Sequence, residues 1–189
     1  AEYSGPPQPK ATTRCRIVSE HGWADLVGPT VCRTLTPDEV AVVRGKLGPD
    51  PLNADADPGQ FYRAAAKSSR PIGVILMDQA AISGVGNIFR AESLYRQKID
   101  PLRPGKTLSD DELRRLWDDN KHLLTIGVRV GRIITTEQQD RPGIPETEAW
   151  PDHANYVYMR HGQKCPRCSA TIRMEEIAGR KLYWCPGCQ

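Results

Sequence analysis

The stretch Lys164-Cys165-Pro166-Arg167-Cys168 is answered close to the C-terminus by Trp184-Cys185-Pro186-Gly187-Cys188-Gln189. Each holds a Cys-x-x-Cys knuckle with proline inside, and sixteen residues separate the two. Zinc takes four soft ligands in a tetrahedron, and a Cys-x-x-Cys turn sets two thiolates one ligand edge apart. Two such turns fill the shell and leave no open position for water. Cys165, Cys168, Cys185 and Cys188 are therefore expected to hold one structural zinc ion. The unit they close, residues 155–189, is short and poor in large apolar groups, so metal binding supplies most of its folding free energy. Two disulfides in a small scaffold are the alternative for the same cysteines.

Between the knuckles, Met174 to Trp184 reads as a β-hairpin with its turn at Ala178-Gly179. Arg180 sits beside the tip. From there its planar donor fork is free to meet an anion, or it is simply a solvated arginine.

The rest of the chain bounds the answer without deciding it. At 189 residues it suits one ordinary domain or two to three small ones, and two Phe with six Tyr favour several small cores. A net charge of +3 carries no bulk argument for nucleic acid. Arg and Lys recur between 63 and 106 while acids gather at 109–119, either a basic face opposite an acidic one or ordinary surface charge. No signal peptide or spanning helix is read, which with zinc spacing points to a reducing cytosolic compartment. Cys15 and Cys32 are expected as small buried side chains on strands.

Along the chain, β-like runs at Thr13–Ser19, Trp23–Val27 and Val31–Leu35 are too poor in apolar residues to enclose a core. Helix start signals follow. Thr36-Pro37-Asp38-Glu39 offers a capping box with proline at the first helical position, and Asp57-Pro58-Gly59-Gln60 repeats the form. Ser109-Asp110-Asp111-Glu112 opens a long helix whose apolar period runs to Val130 and Ile134. Its Gly127 and Gly131 are expected to admit another backbone closely, whether of protein or of nucleic acid. Ile72–Ser83 reads as an apolar helix, Ile88–Gln97 as another, and 135–154 as a long loop. Between those two helices lies Gly84-Val85-Gly86-Asn87. Glycines there leave amides uncovered at a helix N-terminus, a natural phosphate site, and Asn87 either caps the helix or reaches the phosphate. An ordinary helix hairpin is the plainer reading.

Taken together, Met77-Asp78-Gln79, Gly84-Val85-Gly86-Asn87-Ile88-Phe89-Arg90-Ala91-Glu92-Ser93-Leu94, Ile99-Asp100-Pro101, Tyr156-Val157-Tyr158, Arg180 and the paired knuckles resemble one pattern in order and spacing. It is that of the formamidopyrimidine-DNA glycosylase/endonuclease VIII family, with most likeness to the endonuclease VIII branch. The resemblance runs from about residue 13 to 189.

The resemblance implies a multidomain α+β chain. Residues 1–35 would be the remnant of an N-terminal β-sandwich, 36–154 an all-α helix–two-turn–helix domain with its linker, and 155–189 a C-terminal β-hairpin zinc finger. It implies a base-excision-repair protein similar to bifunctional glycosylase/abasic-site lyases acting on oxidised bases, which flip the damaged base out of the duplex. Its partner would be double-stranded DNA with a damaged base or an abasic site, its cofactor one structural zinc. The chain would be a monomer without membrane attachment, in a bacterial cytoplasm and associated with the nucleoid. Gly86 and Asn87 fall on the family's phosphate-binding turn, and Arg180 on its finger arginine.

The family's catalytic proline-glutamate opening is not matched by Ala1-Glu2-Tyr3, so no catalytic residue is assigned and the chain is expected to bind DNA without lyase or glycosylase action. A DNA-binding module that never had catalysis, and a zinc-ribbon adaptor for another protein, are the other readings.

Overall fold

The computed structural model describes residues 5–189 and falls into two compact units, one through Val43 and one from Arg44 on. The opening Ala1-Glu2-Tyr3 lies outside the described residues.

In the first unit, β1 (Thr13–Val18) and β2 (Trp23–Val27) form an antiparallel hairpin. Arg16 stands opposite Asp25 and grips it through two hydrogen bonds of 2.6 and 2.8 Å, while its guanidinium lies over the Trp23 ring. The third expected run, Val31–Leu35, is not a strand, and Val31 is exposed. Within this unit two strands offer no second layer, so both faces of the hairpin keep apolar side chains exposed, among them Ile17, Val18, Leu26 and Val27. Cys15, on β1, is for the same reason an exposed thiol rather than the buried one expected, and Cys32, outside the hairpin, is exposed as well. The capping box at Thr36 forms as the sequence demands: the Thr36 amide donates to Glu39 Oε2 at 2.9 Å and the Glu39 amide to Thr36 Oγ1 at 3.3 Å. It opens α1 (Pro37–Arg44).

The second unit contains α2 (Gly59–Ala66), α3 (Ile72–Ile75), α4 (Asn87–Arg96) and α5 (Asp110–Val130), followed by β3 (Arg173–Ile177) and β4 (Arg180–Trp184). Its main core joins Phe61, Ile72, Leu76, Ile82, Leu94, Ile99, Leu113, Leu116 and Leu123. α2 starts without a capping box. Pro58 takes the cap position and Asp57 accepts from the Gly59 amide instead. α5 starts with a complete box at Ser109 and Glu112, and Arg103 clamps Glu112 through two hydrogen bonds of 2.6 and 2.8 Å.

α5 stops sooner than its apolar period. Gly131 takes φ +69° and donates back to the Gly127 carbonyl, so Ile134 lies beyond the helix. A Cβ on Gly127 would meet the Phe89 ring at 3.7 Å and the Arg132 carbonyl oxygen at 3.8 Å, ordinary contacts, so among the described residues no other protein backbone approaches closely there.

The apolar helix expected over Ile72–Ser83 is one turn long. From Met77 to Gly86 the chain makes two turns, held by side chains that compete with helix hydrogen bonds. Gln79 donates to the Val85 carbonyl and accepts from the Gly84 amide, and Asp78 accepts from the Ala80 amide. Ser83 donates to the Gly48 carbonyl, and a Cβ on Gly48 would lie 2.6 Å from the Ala81 backbone. The linker at Gly48 thus packs directly on the turns. Helix, two turns, helix is the local architecture.

β3 and β4 pair antiparallel in the register Ile177↔Arg180 to Arg173↔Trp184. Ala178 at φ +52° and Gly179 at φ +72° make the two-residue turn at the predicted place. β4 packs on α4, burying Leu182, Tyr183 and Trp184.

Candidate metal centre and nucleic-acid interface

The four knuckle sulfurs converge. Cys165 Sγ lies 3.7 Å from Cys188 Sγ, Cys168 Sγ lies 3.3 Å from Cys185 Sγ, and all four fall within 4.8 Å of one another. A tetrahedral zinc with bonds of about 2.3 Å separates its sulfurs by about 3.8 Å. The donor set and spacing fit one structural zinc ion, and all four cysteines are free thiols rather than disulfides. At Gly187 a Cβ would stand 2.8 Å from Cys168 Sγ, so the second knuckle needs its glycine to leave room for the ligand.

Three supports surround the sulfurs. Tyr95, on α4, places its hydroxyl 3.2 Å from Cys165 Sγ. Gln189 accepts from the Cys185 amide at 2.9 Å and donates to the Ile99 carbonyl at 3.0 Å, tying the second knuckle to the chain just after α4. Arg167, inside the first knuckle, lies over the Tyr156 ring at 4.6 Å and pairs with Asp140 at 2.8 Å. Burial works against its charge, but Asp140 holds its pKa above the ordinary arginine value.

The second site is the start of α4. Gly86 is its N-cap and carries no side chain to occupy the first-turn amides, and a Cβ there would meet open space. Asn87 is therefore not the cap but the first helical residue. Its Nδ2 donates to the Lys181 carbonyl at 2.9 Å, and its Oδ1 accepts from Arg90. Arg90 donates to the same Lys181 carbonyl at 3.0 Å. The expected sites thus come together: Asn87 is bonded to the residue next to Arg180, at the head of β4.

Arg90 is 1% exposed, and among the described residues no carboxylate pairs with it and its Nε finds no hydrogen-bond partner. Burial, with the nearby charge of Arg180, lowers its pKa to about 10. A buried guanidinium beside an exposed one, over uncapped helix amides, makes a local field that favours an anion. Next to Asn87, Ile88 lines a cavity of about 430 Å³ whose walls include Trp150, Asn155, Tyr158, Met159 and Arg160.

The comparisons with known proteins agree with this geometry. Residues 47–139 match the formamidopyrimidine-DNA glycosylase H2TH domain, and residues 162–189 match the zinc finger found in FPG and IleRS. Endonuclease 8 1 of Mycobacterium tuberculosis (strain ATCC 25618 / H37Rv) is 43% identical over 184 residues, which is 97% of this chain and 68% of that protein. The chain belongs to the formamidopyrimidine-DNA glycosylase/endonuclease VIII family. A formamidopyrimidine-DNA glycosylase of Thermus thermophilus is 38% identical over 150 residues, covering 76% of this chain and 54% of the relative.

Among solved structures, the MutM (Fpg) protein of Thermus thermophilus superposes with TM-score 0.72 at 30% identity, over 98% of this chain and 71% of that one. A Lactococcus lactis Fpg in complex with abasic-site DNA gives TM-score 0.65 at 28% identity, over 82% of this chain and 56% of that one. Gly86 and Asn87 lie in the matched helix–two-turn–helix region of this family member, and Arg180 and the four cysteines in its matched finger.

Sequence reasoning gave no role to Arg90, Glu92, Tyr95 or Gln189. Glu92 is fully buried, and burial pushes its pKa up while four donors oppose the rise. Those donors are the Tyr156, Val157 and Tyr158 amides and the Thr135 hydroxyl, at 2.6 to 2.8 Å. Glu92 thereby fixes the segment that enters the finger. The signal in the sequence was the presence of Arg90 and Glu92 on a helix whose neighbours Phe89, Ala91 and Leu94 are core residues.

Proposed function

We propose that this chain grips the phosphate backbone of double-stranded DNA at a damaged base or abasic site, as the DNA-handling part of a base-excision-repair glycosylase/lyase. The observation that carries the reading is the joining of two anion-binding elements through one carbonyl. Asn87 and Arg90, at the open end of α4, both bond Lys181, the neighbour of Arg180. A phosphate at the α4 amides and one at the Arg180 fork would then be held at a fixed separation. The likeness to a Lactococcus Fpg solved with abasic-site DNA supports the same partner. The cavity beside Ile88 offers room for an unstacked base.

The organisation proposed with this function keeps residues 1–35 as a remnant of an N-terminal β-sandwich, 36–154 as the helix–two-turn–helix domain with its linker, and 155–189 as the finger. Gly86, Asn87 and Arg180 are the proposed DNA contacts. The chain is proposed to act as a monomer, associated with a bacterial nucleoid. No helix of the described residues is long and apolar enough to cross a membrane.

The glycosylase and lyase steps belong to the proposal for the whole protein, since this chain spans 54% to 68% of the relatives named above. Filter binding of a duplex containing an abasic-site analogue, titrated with salt, tests the grip. Binding that weakens with salt on a log–log line supports it, and absence of binding contradicts it. Borohydride trapping on abasic DNA separates the rival classes, since a covalent adduct requires a working amine nucleophile.

A further inference from the structure

We propose that the Tyr95 hydroxyl donates a hydrogen bond to the Cys165 thiolate and thereby sets how tightly the finger holds its zinc. Tyr95 belongs to α4, outside the finger, and is fully buried, with its Oη 3.2 Å from Cys165 Sγ. Once Cys165 binds zinc it is a thiolate with no proton to give, so the phenol must be the donor.

The geometry is held by packing rather than chance rotation. The Tyr95 ring stacks on Tyr156 at 4.9 Å and 29°, and the Arg167 guanidinium lies 5.4 Å from its centroid. Arg167 is in turn fixed to Asp140. The charge balance gives the hydroxyl its importance. Four thiolates carry twice the charge of one zinc ion, so the loaded site is an anion, and Cys165 is one of its two buried ligands. A buried anion needs donors in place of water. Gly187 leaves no room for extra atoms near Cys168, so the finger cannot crowd that side with a side chain of its own. Tyr95 supplies the donor from the helix on which the finger rests. It occupies no coordination position and acts only through Cys165, as a positioning residue. Zinc retention and the docking of the finger on α4 are therefore linked: the Arg167 and Cys168 amides donate to Cys165 from within the finger, and a loosened dock deprives the thiolate of the one donor that comes from α4.

Tyr95→Phe removes one oxygen and keeps the ring that packs on Tyr156. The full chain, loaded with one zinc, is mixed with a chromogenic chelator and the transfer of metal is followed. The variant should keep its circular dichroism and its single zinc before competition, yet hold zinc 10- to 100-fold more weakly and release it faster. Affinity and release rate equal to wild type would overturn the proposal. A second measurement needs no variant. In wild-type chain loaded with NMR-active cadmium, the Tyr95 hydroxyl proton should exchange slowly and show through-bond coupling to the metal. A rapidly exchanging proton without coupling contradicts the hydrogen bond, whatever Tyr95→Phe does to folding.

Discussion

Asn87 has both ends of its amide in use, Oδ1 with Arg90 and Nδ2 with the Lys181 carbonyl, which leaves one Nδ2 hydrogen for a ligand. In the proposed phosphate contact Asn87 would act partly directly and partly through the placement of β4. Asn87→Ala should weaken binding to abasic-analogue DNA by about 1–2 kcal/mol, the scale of one charge-assisted hydrogen bond, with little change in melting temperature. Filter binding and a melting curve on the same preparation check this. A large drop in melting temperature with unchanged affinity would make Asn87 a structural tie alone. Arg90 illustrates what sequence reading misses at this scale. The reason for its burial is a carbonyl 91 positions away, and no local pattern reports that distance.

At the scale of elements, local chemistry was legible and long-range chemistry was not. The boxes at Thr36 and Ser109 and the turn at Ala178-Gly179 depend on residues within a few positions, and each formed where the sequence placed it. The apolar run after Ile72 was misread as continuous helix because Gln79 bridges to residues 84 and 85 and Gly48 packs from the linker. Val31–Leu35 does not form the expected strand because β propensity describes fit to a neighbouring strand, and among the described residues none pairs with it.

The α5 box also makes a pH prediction. Arg103 beside Glu112, with the Ser109 amide, holds the Glu112 carboxyl at about 2 against an ordinary 4.5. A depressed carboxylate contributes stability that is present above its unfolded value of 4.5 and lost as pH falls through about 2. Between those limits the urea midpoint of the wild-type chain should fall more steeply than that of Glu112→Gln. Both chains carry the same zinc site, so the difference isolates Glu112. Parallel curves would contradict the assignment.

Across the second unit, the finger is a part of the helical body rather than an appendage. It is pinned to α4 near one end by Tyr95 and near the other by Asn87 and Arg90, and Gln189 ties it to Ile99. Its small core of Tyr156, Val157, Ile172 and Tyr183 includes Ala91 and Tyr95 of α4. Cys165→Ser, which removes one zinc ligand, should therefore abolish hydrogen-exchange protection across 156–189 while α2 and α5 stay protected. Retained protection in the finger, or metal analysis without zinc in the wild type, would contradict the metal's structural role. Knuckle spacing made this site legible, since four cysteines in two turns define it almost alone. The union of the finger with the α4 N-terminus was not legible, because the acceptor that Asn87 and Arg90 share is a backbone carbonyl, a group common to every residue.

That union is the central claim, and Arg180 tests it most directly. The residue is exposed at the head of β4, beside Lys181 whose carbonyl both α4 donors hold. In the proposed contact a guanidinium there would offer a phosphate two parallel donors, whereas lysine offers only a point charge. The decisive measurement is filter binding of wild type, Arg180→Ala and Arg180→Lys to a duplex with an abasic-site analogue, repeated across salt concentrations. Arg180→Ala should bind more weakly with the log–log salt slope reduced by about one, and Arg180→Lys should recover only part of the affinity. Equal affinity and equal slope for wild type and Arg180→Ala would contradict the account.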